Sequence, residues 1–472
     1  MSRIRSSLTL KTGVVLTLLV LGSALLTFAA TGSTTSTVAT PTERGTPAEQ
    51  QAVRTSRDTS LLPIRSTCKV KPDKELFITD VSVVDDCYRT TWSGPCLTPA
   101  SPPATRGAWT VGKLLEGIFG TTNATALSNQ TINWLNQWAT LQTINGDPVP
   151  ARPAVQSLII GPWLAASGGT TLDMKKAPFR LLAIVARLDL RENSGYSGGT
   201  TAGEGRFVFD LLDESGNPTN FLLILEYGLD AADCHAVLDW AQAFHGLGAY
   251  SFGSSYNDAL QAVTDRFTAI GASPGKPNGS AINQVRTNDF FLDFPWELRE
   301  FHLNAGPTRI TPLTLATVAQ TPASSRQATA AISTFVNANE PAILAHQHVV
   351  PLIWSGKPFR GGAAPHSLDL GWDGPPLQCT SITNPEARHA FSLDTCSGCH
   401  GQETGVFFKH VEPRSFGSAS TLSTFLTGGS ATDLCNRTHS FGDINRRRVD
   451  LCQLLEKTCT EIDAEPSITF VH

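Results

Sequence analysis

Ten cysteines in a chain that begins with an export signal constrain this fold more than any other feature. Three basic residues within the first eleven precede an apolar stretch, residues 13–30, and this order of charge and apolar character is typical of a secretion signal. Disulfides persist in the oxidising compartments outside the cytoplasm. We therefore expect a covalently cross-linked protein in the periplasm or at the cell surface.

The same segment decides whether the protein is held at a membrane. No clean Ala-x-Ala cleavage site follows the apolar stretch, so residues 1–30 are either a cleaved signal peptide or an uncleaved N-terminal anchor. At 18 residues the stretch is short for a spanning helix, which usually needs about 20 residues. A signal peptide is the favoured interpretation, and an anchor would be the only link to the membrane.

The composition favours a large globular protein without a nucleic-acid partner. The 472 residues are 41% hydrophobic and 16% charged, which is enough for two or three domains. The net charge of −5 comes from 36 basic and 41 acidic residues without long runs of either sign. Because a polyanion-binding surface needs clustered basic residues, we expect no nucleic-acid binding.

Changes in composition along the chain predict its domains. Residues 31–60 are rich in Thr, Ser, Pro and Gln and cannot bury enough apolar surface to fold, so they form a disordered linker. We expect an α+β body of unknown function over residues 61–325. A mostly helical region follows over residues 326–472.

Apolar periodicity predicts an α+β fold. Helices are predicted at residues 109–119, 131–141, 155–166, 231–247, 256–270, 327–337, 385–393 and 443–457. Strands are predicted at residues 76–84, 179–190, 206–212, 220–227, 281–292, 296–303 and 311–318. This order lacks the regular alternation of a doubly wound fold. The arginines at positions 446–448 are expected on the solvated face of the last helix.

The distinctive chemistry of the chain lies in one segment, Cys396-Ser397-Gly398-Cys399-His400. Two thiols separated by two residues can add to both vinyl groups of one haem, and the adjoining histidine reaches the iron from the same turn. The rival interpretations, a redox disulfide and a zinc site, lack the preceding βαβ context and the second ligand pair that they need. We predict one covalent haem c on Cys396 and Cys399, with His400 as the proximal iron ligand.

The other eight cysteines are an even number, as a disulfide framework requires. They are Cys68, Cys87, Cys96, Cys234, Cys379, Cys435, Cys452 and Cys459. Local pairs are expected within the first three and within the last three. Because three is odd, at least one bond crosses the chain or involves Cys234 or Cys379. The connectivity stays open, and the alternative is that several are buried thiols.

His410 is the predicted distal ligand of the iron. Met174 is the only methionine beyond the initiator and precedes the motif by more than 200 residues, so His/Met ligation is disfavoured. The nine residues between His400 and His410, at about 3.3 Å each when extended, reach around a haem. A five-coordinate iron is the alternative, as is ligation by another histidine. The competing histidines are His346, His348, His366, His389 and His439.

Residues after the motif are predicted to contact the haem. Val406, Phe407 and Phe408 would pack on the porphyrin edge. Arg414 would pair with a propionate, because a guanidinium matches a carboxylate with two parallel hydrogen bonds. The alternative for Arg414 is an ordinary surface salt bridge.

The segment from Arg388 to Arg414 resembles the haem-binding segment of c-type cytochromes, which implies a covalent haem and electron transfer. The wider chain is similar to large exported bacterial proteins of unassigned function that end in one such motif. This similarity includes the phrases at residues 76–84, 179–190 and 203–209. The chain departs from the small soluble cytochromes because it lacks a downstream methionine and has some 300 extra residues before the motif.

Two functions remain compatible with the sequence. The first is a redox protein of the cell envelope, whose haem exchanges electrons with an unidentified partner protein. The second is an exported, disulfide-stapled binding or structural protein with a non-redox or vestigial motif. The sequence has no H-E-x-x-H, G-x-S-x-G or second C-x-x-C-H, so an electron carrier or redox subunit is favoured over a stand-alone enzyme. Asp189, Glu204 and Arg206 are expected to be structural charges.

Overall fold

A mixed α+β structure fills the described part of the chain, which confirms the predicted fold class. The computed structural model describes residues 68–92, 96, 106–191, 201–304, 310–327, 329–366, 376–466 and 468. The predicted signal segment and linker lie outside the described residues. Within the described residues, no helix is both long enough and apolar enough to cross a membrane.

Short strands and short to medium helices alternate irregularly along the chain. The strands are β1 (Phe77–Ile78), β2 (Gln142–Ile144), β3 (Asp147–Val149), β4 (Phe179–Arg187), β5 (Thr201–Leu212), β6 (Pro218–Asp230), β7 (Ile282–Asp289), β8 (Trp296–Leu303), β9 (Leu313–Leu315), β10 (Ile353–Trp354), β11 (Lys357–Pro358), β12 (Ala364–His366), β13 (Gly429–Thr432) and β14 (Thr438–Phe441). The helices that precede β7 in the chain are α1 (Pro72–Glu75), α2 (Val81–Val84), α3 (Cys87–Thr90), α4 (Val111–Phe119), α5 (Ala124–Leu135), α6 (Gly161–Ser167), α7 (Cys234–Gly246) and α8 (Ser254–Thr268). The later helices are α9 (Ser324–Gln327), α10 (Ala330–Ala338), α11 (Glu340–Leu344), α12 (Pro376–Ser381), α13 (Pro385–Leu393), α14 (Cys396–Cys399), α15 (Thr424–Thr427), α16 (Asp443–Glu456) and α17 (Cys459–Asp463).

One large antiparallel sheet organises the fold. Its strand order is β1-β4-β5-β6-β7-β8-β12, and β9 pairs with the other end of β8. The strands from β4 to β8 pair antiparallel in chain order, so neighbours in sequence are neighbours in the sheet, and α7 and α8 form the connection between β6 and β7. The last strand, β12, comes from the C-terminal region, which therefore takes part in the same sheet as the body.

The two faces of the sheet have different partners. Along β5, Phe207, Phe209 and Leu211 lie on one face and belong to a core shared with α4, α5, α7 and α8. The alternate residue Val208 belongs to a second core, which it shares with the C-terminal residues Leu393 and Phe441. Because successive side chains of a strand point to opposite faces, the two cores lie on opposite faces. The first face is covered by α4, α5, α7 and α8 together with residues of α16, and the second by C-terminal residues between Leu393 and Phe441.

Buried aromatic residues stabilise the first face. Trp134 and Trp138 pack against Phe301, with ring centroids 6.0 and 4.5 Å away. All three side chains are fully buried. Burial of a large apolar side chain stabilises a fold by roughly 1.5–3 kcal/mol, so this cluster anchors α5 to the sheet.

Four disulfides account for all eight cysteines outside the motif. They join Cys68 to Cys452, Cys87 to Cys96, Cys234 to Cys459, and Cys379 to Cys435. The sequence separations are 384, 9, 225 and 56 residues, respectively. One bond therefore spans most of the chain and a second spans almost half of it, and only Cys87–Cys96 is a local pair of the predicted kind.

The predicted strand at residues 76–84 is wrong over its second half. Only β1 is extended, and α2 begins directly after Asp80. The Asp80 carboxylate accepts a hydrogen bond of 2.9 Å from the Ser82 backbone N–H, which caps the helix. A local cap thus overrides the β-branched run Val81-Ser82-Val83-Val84 that favoured a strand.

Candidate functional site

The C-x-x-C-H motif forms one short helix, α14, that ends at His400. Thr395 caps this helix, since its hydroxyl accepts a hydrogen bond of 3.0 Å from the Gly398 N–H. Gly398 itself lies against Ser392, where an added Cβ would come within 2.3 Å of a backbone oxygen. Helices α13 and α14 therefore approach each other too closely at Gly398 for a side chain to fit.

The two motif cysteines form no disulfide, either with each other or with the other eight. Both are fully buried. Burial raises the pKa of the Cys396 thiol to about 11, so this sulfur is protonated at neutral pH. Thiols of this kind are poor spontaneous nucleophiles.

His400 is held by a hydrogen bond that fixes its tautomer. Its Nδ1 lies 2.9 Å from the backbone oxygen of Phe408, which makes Nδ1 the protonated donor. The lone pair is then on Nε2. The indole of Trp296 stacks on the imidazole with a centroid separation of 5.4 Å, and it also stacks on Phe408 at 5.3 Å. This clamp orients His400 as metal-ligating histidines are oriented by the groups around them.

Phe408 adopts an unusual backbone conformation that aims its carbonyl oxygen. Its φ is +66°, in the left-handed region that L residues other than Asn, Asp and His rarely occupy. The Asn288 side chain, which accepts a hydrogen bond of 2.6 Å from the Trp296 indole, donates one of 2.5 Å to that oxygen. Such a conformation costs of order 1–3 kcal/mol and persists where surrounding contacts enforce it. Here it supplies the acceptor for His400.

His410 lies beside His400 and is also held by a hydrogen bond at its Nδ1. Its Nδ1 is 2.9 Å from the Ser423 hydroxyl, and its ring centroid is 4.6 Å from that of His400. Its Nε2 is 3.5 Å from the Cys399 sulfur. Desolvation, reinforced by the nearby His400, holds the pKa of His410 well below its usual range. The ring is therefore neutral at physiological pH, which is the form that ligates metals.

A cavity opens between the second face of the sheet and the motif. The cavity volume is about 100 Å³. Both His400 and His410 line it. Ligand pockets usually span about 300–1,000 Å³, so a planar cofactor would fit between the sheet and the histidines only if the surrounding side chains moved apart.

The sheet side of the cavity divides into an apolar part and a charged part. The apolar lining residues are Phe77, Val185, Val208, Leu222, Ile224 and Leu298. The charged lining residues are Arg187, Arg206, Glu226, Arg286 and, from α16, Arg447. A ligand with an apolar body and an anionic edge would match this distribution of side chains.

Ion pairs tie the charged part together. Arg187 grips Asp189 with two hydrogen bonds of 2.9 and 3.0 Å. Arg286 bonds Glu300 at 2.8 Å, and Arg206 bonds Glu204 at 2.6 Å. These contacts agree with the expected structural role of Asp189, Glu204 and Arg206. They also hold a set of guanidinium groups against the cavity.

Arg447 differs from these arginines because its hydrogen-bonding capacity is incompletely used. It is 5% exposed, and its Nη2 pairs with Asp443. Its Nε and Nη1 are buried and have no hydrogen-bond partner among the described residues. Burial and the neighbouring Arg187 lower the pKa of Arg447 to about 10, so it stays charged at neutral pH. A buried donor left without an acceptor costs about 1–3 kcal/mol, and an anionic group in the cavity would remove that cost.

Glu226 is the acidic residue of the cavity wall. It is 1% exposed, and burial raises its pKa despite the opposing attraction of Arg206 and Arg286. Gln284 donates a hydrogen bond of 2.5 Å to its carboxyl group. A carboxyl group that is shielded from solvent and raised in pKa can hold a proton beside the site.

The structure places Arg414 away from the cavity lining. Its guanidinium bonds both carboxylate oxygens of Asp85, at 2.9 and 2.7 Å, and also the backbone oxygens of Leu181 and Val84. This is the salt bridge that the sequence offered as the alternative, although it is buried rather than on the surface. Arg447, unlike Arg414, is among the residues that line the cavity. The placement of Arg447 also shows that the predicted solvated face at residues 446–448 is wrong.

The three residues predicted to pack on the porphyrin edge have separate environments. Val406 is buried in the second core. Phe408 stacks on Trp296 and on Phe290. Phe407 is 80% exposed and makes no ring contact with Trp296 or Phe290. Val406 and Phe408 thus flank the motif, whereas Phe407 faces solvent.

The competing histidines whose side chains are described lie outside the cavity lining. His346 and His348 sit beside Asp394, at 2.9 and 4.0 Å. His389 and His439 stack on each other with ring centroids 3.5 Å apart. The side chain of His366 lies outside the described residues. Among the described histidines, His410 alone shares the cavity lining with His400.

Sequence reasoning missed three parts of the site. Trp296 and Ser423, which orient the two histidines, carry no motif of their own. Arg447 was assigned to a solvated helix face. One signal was available for the charged side of the cavity. Arg206 and Arg286 lie within apolar strands, and an arginine is rarely buried there unless it is paired.

Comparisons with protein-family models, with curated proteins and with solved structures find no match for this chain. The site must therefore be interpreted from its own geometry.

Proposed function

We propose that this chain is an exported monohaem protein that transfers electrons in the cell envelope. The haem would be bound covalently at Cys396 and Cys399, with His400 and His410 as its axial ligands. When bound, the haem supplies a one-electron redox couple. One observation carries the proposal. Two histidines, each held by a hydrogen bond at Nδ1, line a single cavity beside two cysteines that form no disulfide.

The disulfide pattern supports covalent attachment. The other eight cysteines form four disulfides, as expected in an oxidising compartment. In such a compartment, a C-x-x-C pair that forms no disulfide remains available for another covalent use. Thioether bonds to haem vinyl groups provide that use and consume one thiol each.

The closeness of the two histidines is compatible with ligation of one iron. The centroids of His400 and His410 are 4.6 Å apart, and both rings line the cavity. Haem binding would require the two rings and the side chains around the cavity to move apart, and the two histidines would then hold the iron.

Different residues would ligate the iron, exclude water from the haem and bind its propionates. His400 and His410, oriented by Phe408 and Ser423, set the ligand field. The apolar wall excludes water, and low solvent exposure is one of the factors that set a haem potential. Arg447 would bind a propionate and hold its charge. Export itself remains part of this proposal, and the four disulfides are compatible with it.

Covalent haem is the first testable consequence. Protein expressed with the c-type maturation machinery should retain haem after denaturation and give a c-type pyridine haemochrome spectrum. The Cys396→Ala/Cys399→Ala variant should lose this haem. The matched control is Cys87→Ala/Cys96→Ala, which removes a short-range disulfide but leaves the motif intact. A colourless wild-type protein of unmodified mass would refute the proposal and favour an exported, disulfide-stapled binding protein.

Arg447 provides a second test of the same site. A unit charge about 10 Å from a redox centre contributes about 1.7 kcal/mol at an effective dielectric constant near 20. We therefore expect Arg447→Gln to lower the haem potential by on the order of 50–100 mV, because the loss of positive charge disfavours the reduced state. Potentiometric titration measures the shift. The control Arg448→Gln removes a neighbouring arginine that bonds only Asn445 in the described structure, and an equal shift there would contradict a specific role for Arg447.

A further inference from the structure

A second cluster of potential ligands lies next to the motif, outside the cavity. His389 comes from α13, Glu403 follows the motif, and His439 comes from β14. One ligand atom from each of them lies within 4.8 Å of the others. His389 Nδ1 pairs with Glu403, and His439 Nε2 lies 3.0 Å from Asp433. Three separate elements thus converge on one point.

Buried polar contacts surround this cluster. Arg388 donates two hydrogen bonds, of 2.9 and 2.7 Å, to Glu403 and also pairs with Asp433. Glu403 and Asp433 both have fully buried side chains. Neighbouring charged groups thus hold two imidazoles and a carboxylate together at a largely buried position.

We propose that His389, His439 and Glu403 bind a divalent transition-metal ion. Two imidazole nitrogens and a carboxylate oxygen are ligands suited to Zn²⁺ and to its neighbours in the first transition row, and they disfavour Ca²⁺ and Mg²⁺. Asp433 accepts a hydrogen bond from His439, and Arg388 donates to Glu403, as hydrogen-bonded groups around metal ligands commonly do.

The ion has access from solvent, and binding needs only a local adjustment. The side chains of His389 and His439 are 14% and 9% exposed. Their rings are parallel within 5° and 3.5 Å apart, so each must turn about its Cβ–Cγ bond for the lone pairs to converge on one ion. The disulfide between Cys379 and Cys435 holds the loop that carries Asp433, so the backbone need not move.

The first experiment is a calorimetric titration of the mature full-length protein with Zn²⁺. We expect one ion per chain, and binding weakened by more than about tenfold in His389→Ala and in His439→Asn. Asn can still donate a hydrogen bond to Asp433, which protects the fold. The matched control is His235→Ala. His235 lies beside Cys459 in the other group of three potential ligands, but Cys234 and Cys459 are consumed by their disulfide. Equal binding by wild type and both site variants, or no binding at all, would refute the proposal.

X-ray absorption at the zinc edge identifies the ligands directly. We expect nitrogen and oxygen neighbours at about 2.0–2.1 Å and no sulfur at about 2.3 Å. A sulfur shell would place the ion on the motif thiols and overturn the assignment. The same titration of the Cys396→Ala/Cys399→Ala protein separates this proposal from the proposed haem function, because the metal site does not depend on haem attachment.

Discussion

Replacing His410 with alanine is expected to convert the haem from a six-coordinate, low-spin state to a five-coordinate, high-spin state. His410 is the one described histidine that shares the cavity with His400, and the cavity offers no methionine to replace it. The change should be essentially complete. Absorption and electron paramagnetic resonance spectra report the spin state, and ferrous CO binding reports the open position.

Two further variants sharpen this test. His410→Met should restore six-coordination with a higher potential than wild type, because His/Met ligation favours the reduced state. His235→Ala, at an exposed position outside the site, should leave the spectrum unchanged. If His410→Ala stays low-spin, another histidine is the distal ligand. If wild type is already high-spin, the iron is five-coordinate and His410 only lines its pocket.

Removing the disulfide between Cys68 and Cys452 should cause the largest loss of stability. The bond joins residues 384 apart. Even with the loop shortened by the Cys234–Cys459 bond, chain entropy predicts a cost of about 5 kcal/mol for Cys68→Ala/Cys452→Ala. Thermal unfolding should shift downward by roughly 5–10 °C. Cys452 also lies on α16, which carries Arg447, so the haem pocket should loosen.

The local disulfide gives the comparison for this effect. Cys87–Cys96 spans only 9 residues, and its removal should cost about 2–3 kcal/mol. Denaturant unfolding of both variants, monitored by tryptophan fluorescence and by haem absorbance, measures the difference. Equal losses would mean that the cost is set by native packing around each sulfur and not by the loop that each bond closes.

The parts of the fold that local chemistry decides could be predicted from the sequence. Helix α13 was predicted with its observed bounds, Pro385–Leu393. Asn384 caps it with a hydrogen bond of 2.9 Å to Glu386 N–H, and the proline occupies the first helical position. The motif thiols and both candidate axial histidines also follow from spacing along a short segment.

The parts that depend on distant partners could not be predicted. Arg414 bonds Asp85, which is 329 residues away, and Arg446 reaches Asp189 across 257 residues. A helical pattern reports which face is apolar, but it cannot show that an arginine on the other face meets a buried carboxylate. The same limit left the connectivity of the disulfides open.

The burial of Cys396 and Cys399 has a consequence for the order in which the living cell assembles this protein. Both sulfurs are sealed beneath the sheet, and the Cys379–Cys435 bond encloses the motif in a loop of its own. If the proposed haem is attached, the attachment enzyme must reach the two thiols while the chain is still open. We therefore expect haem attachment to precede formation of the Cys379–Cys435 bond and the docking of the last helices. A chain that folded first would remain without haem.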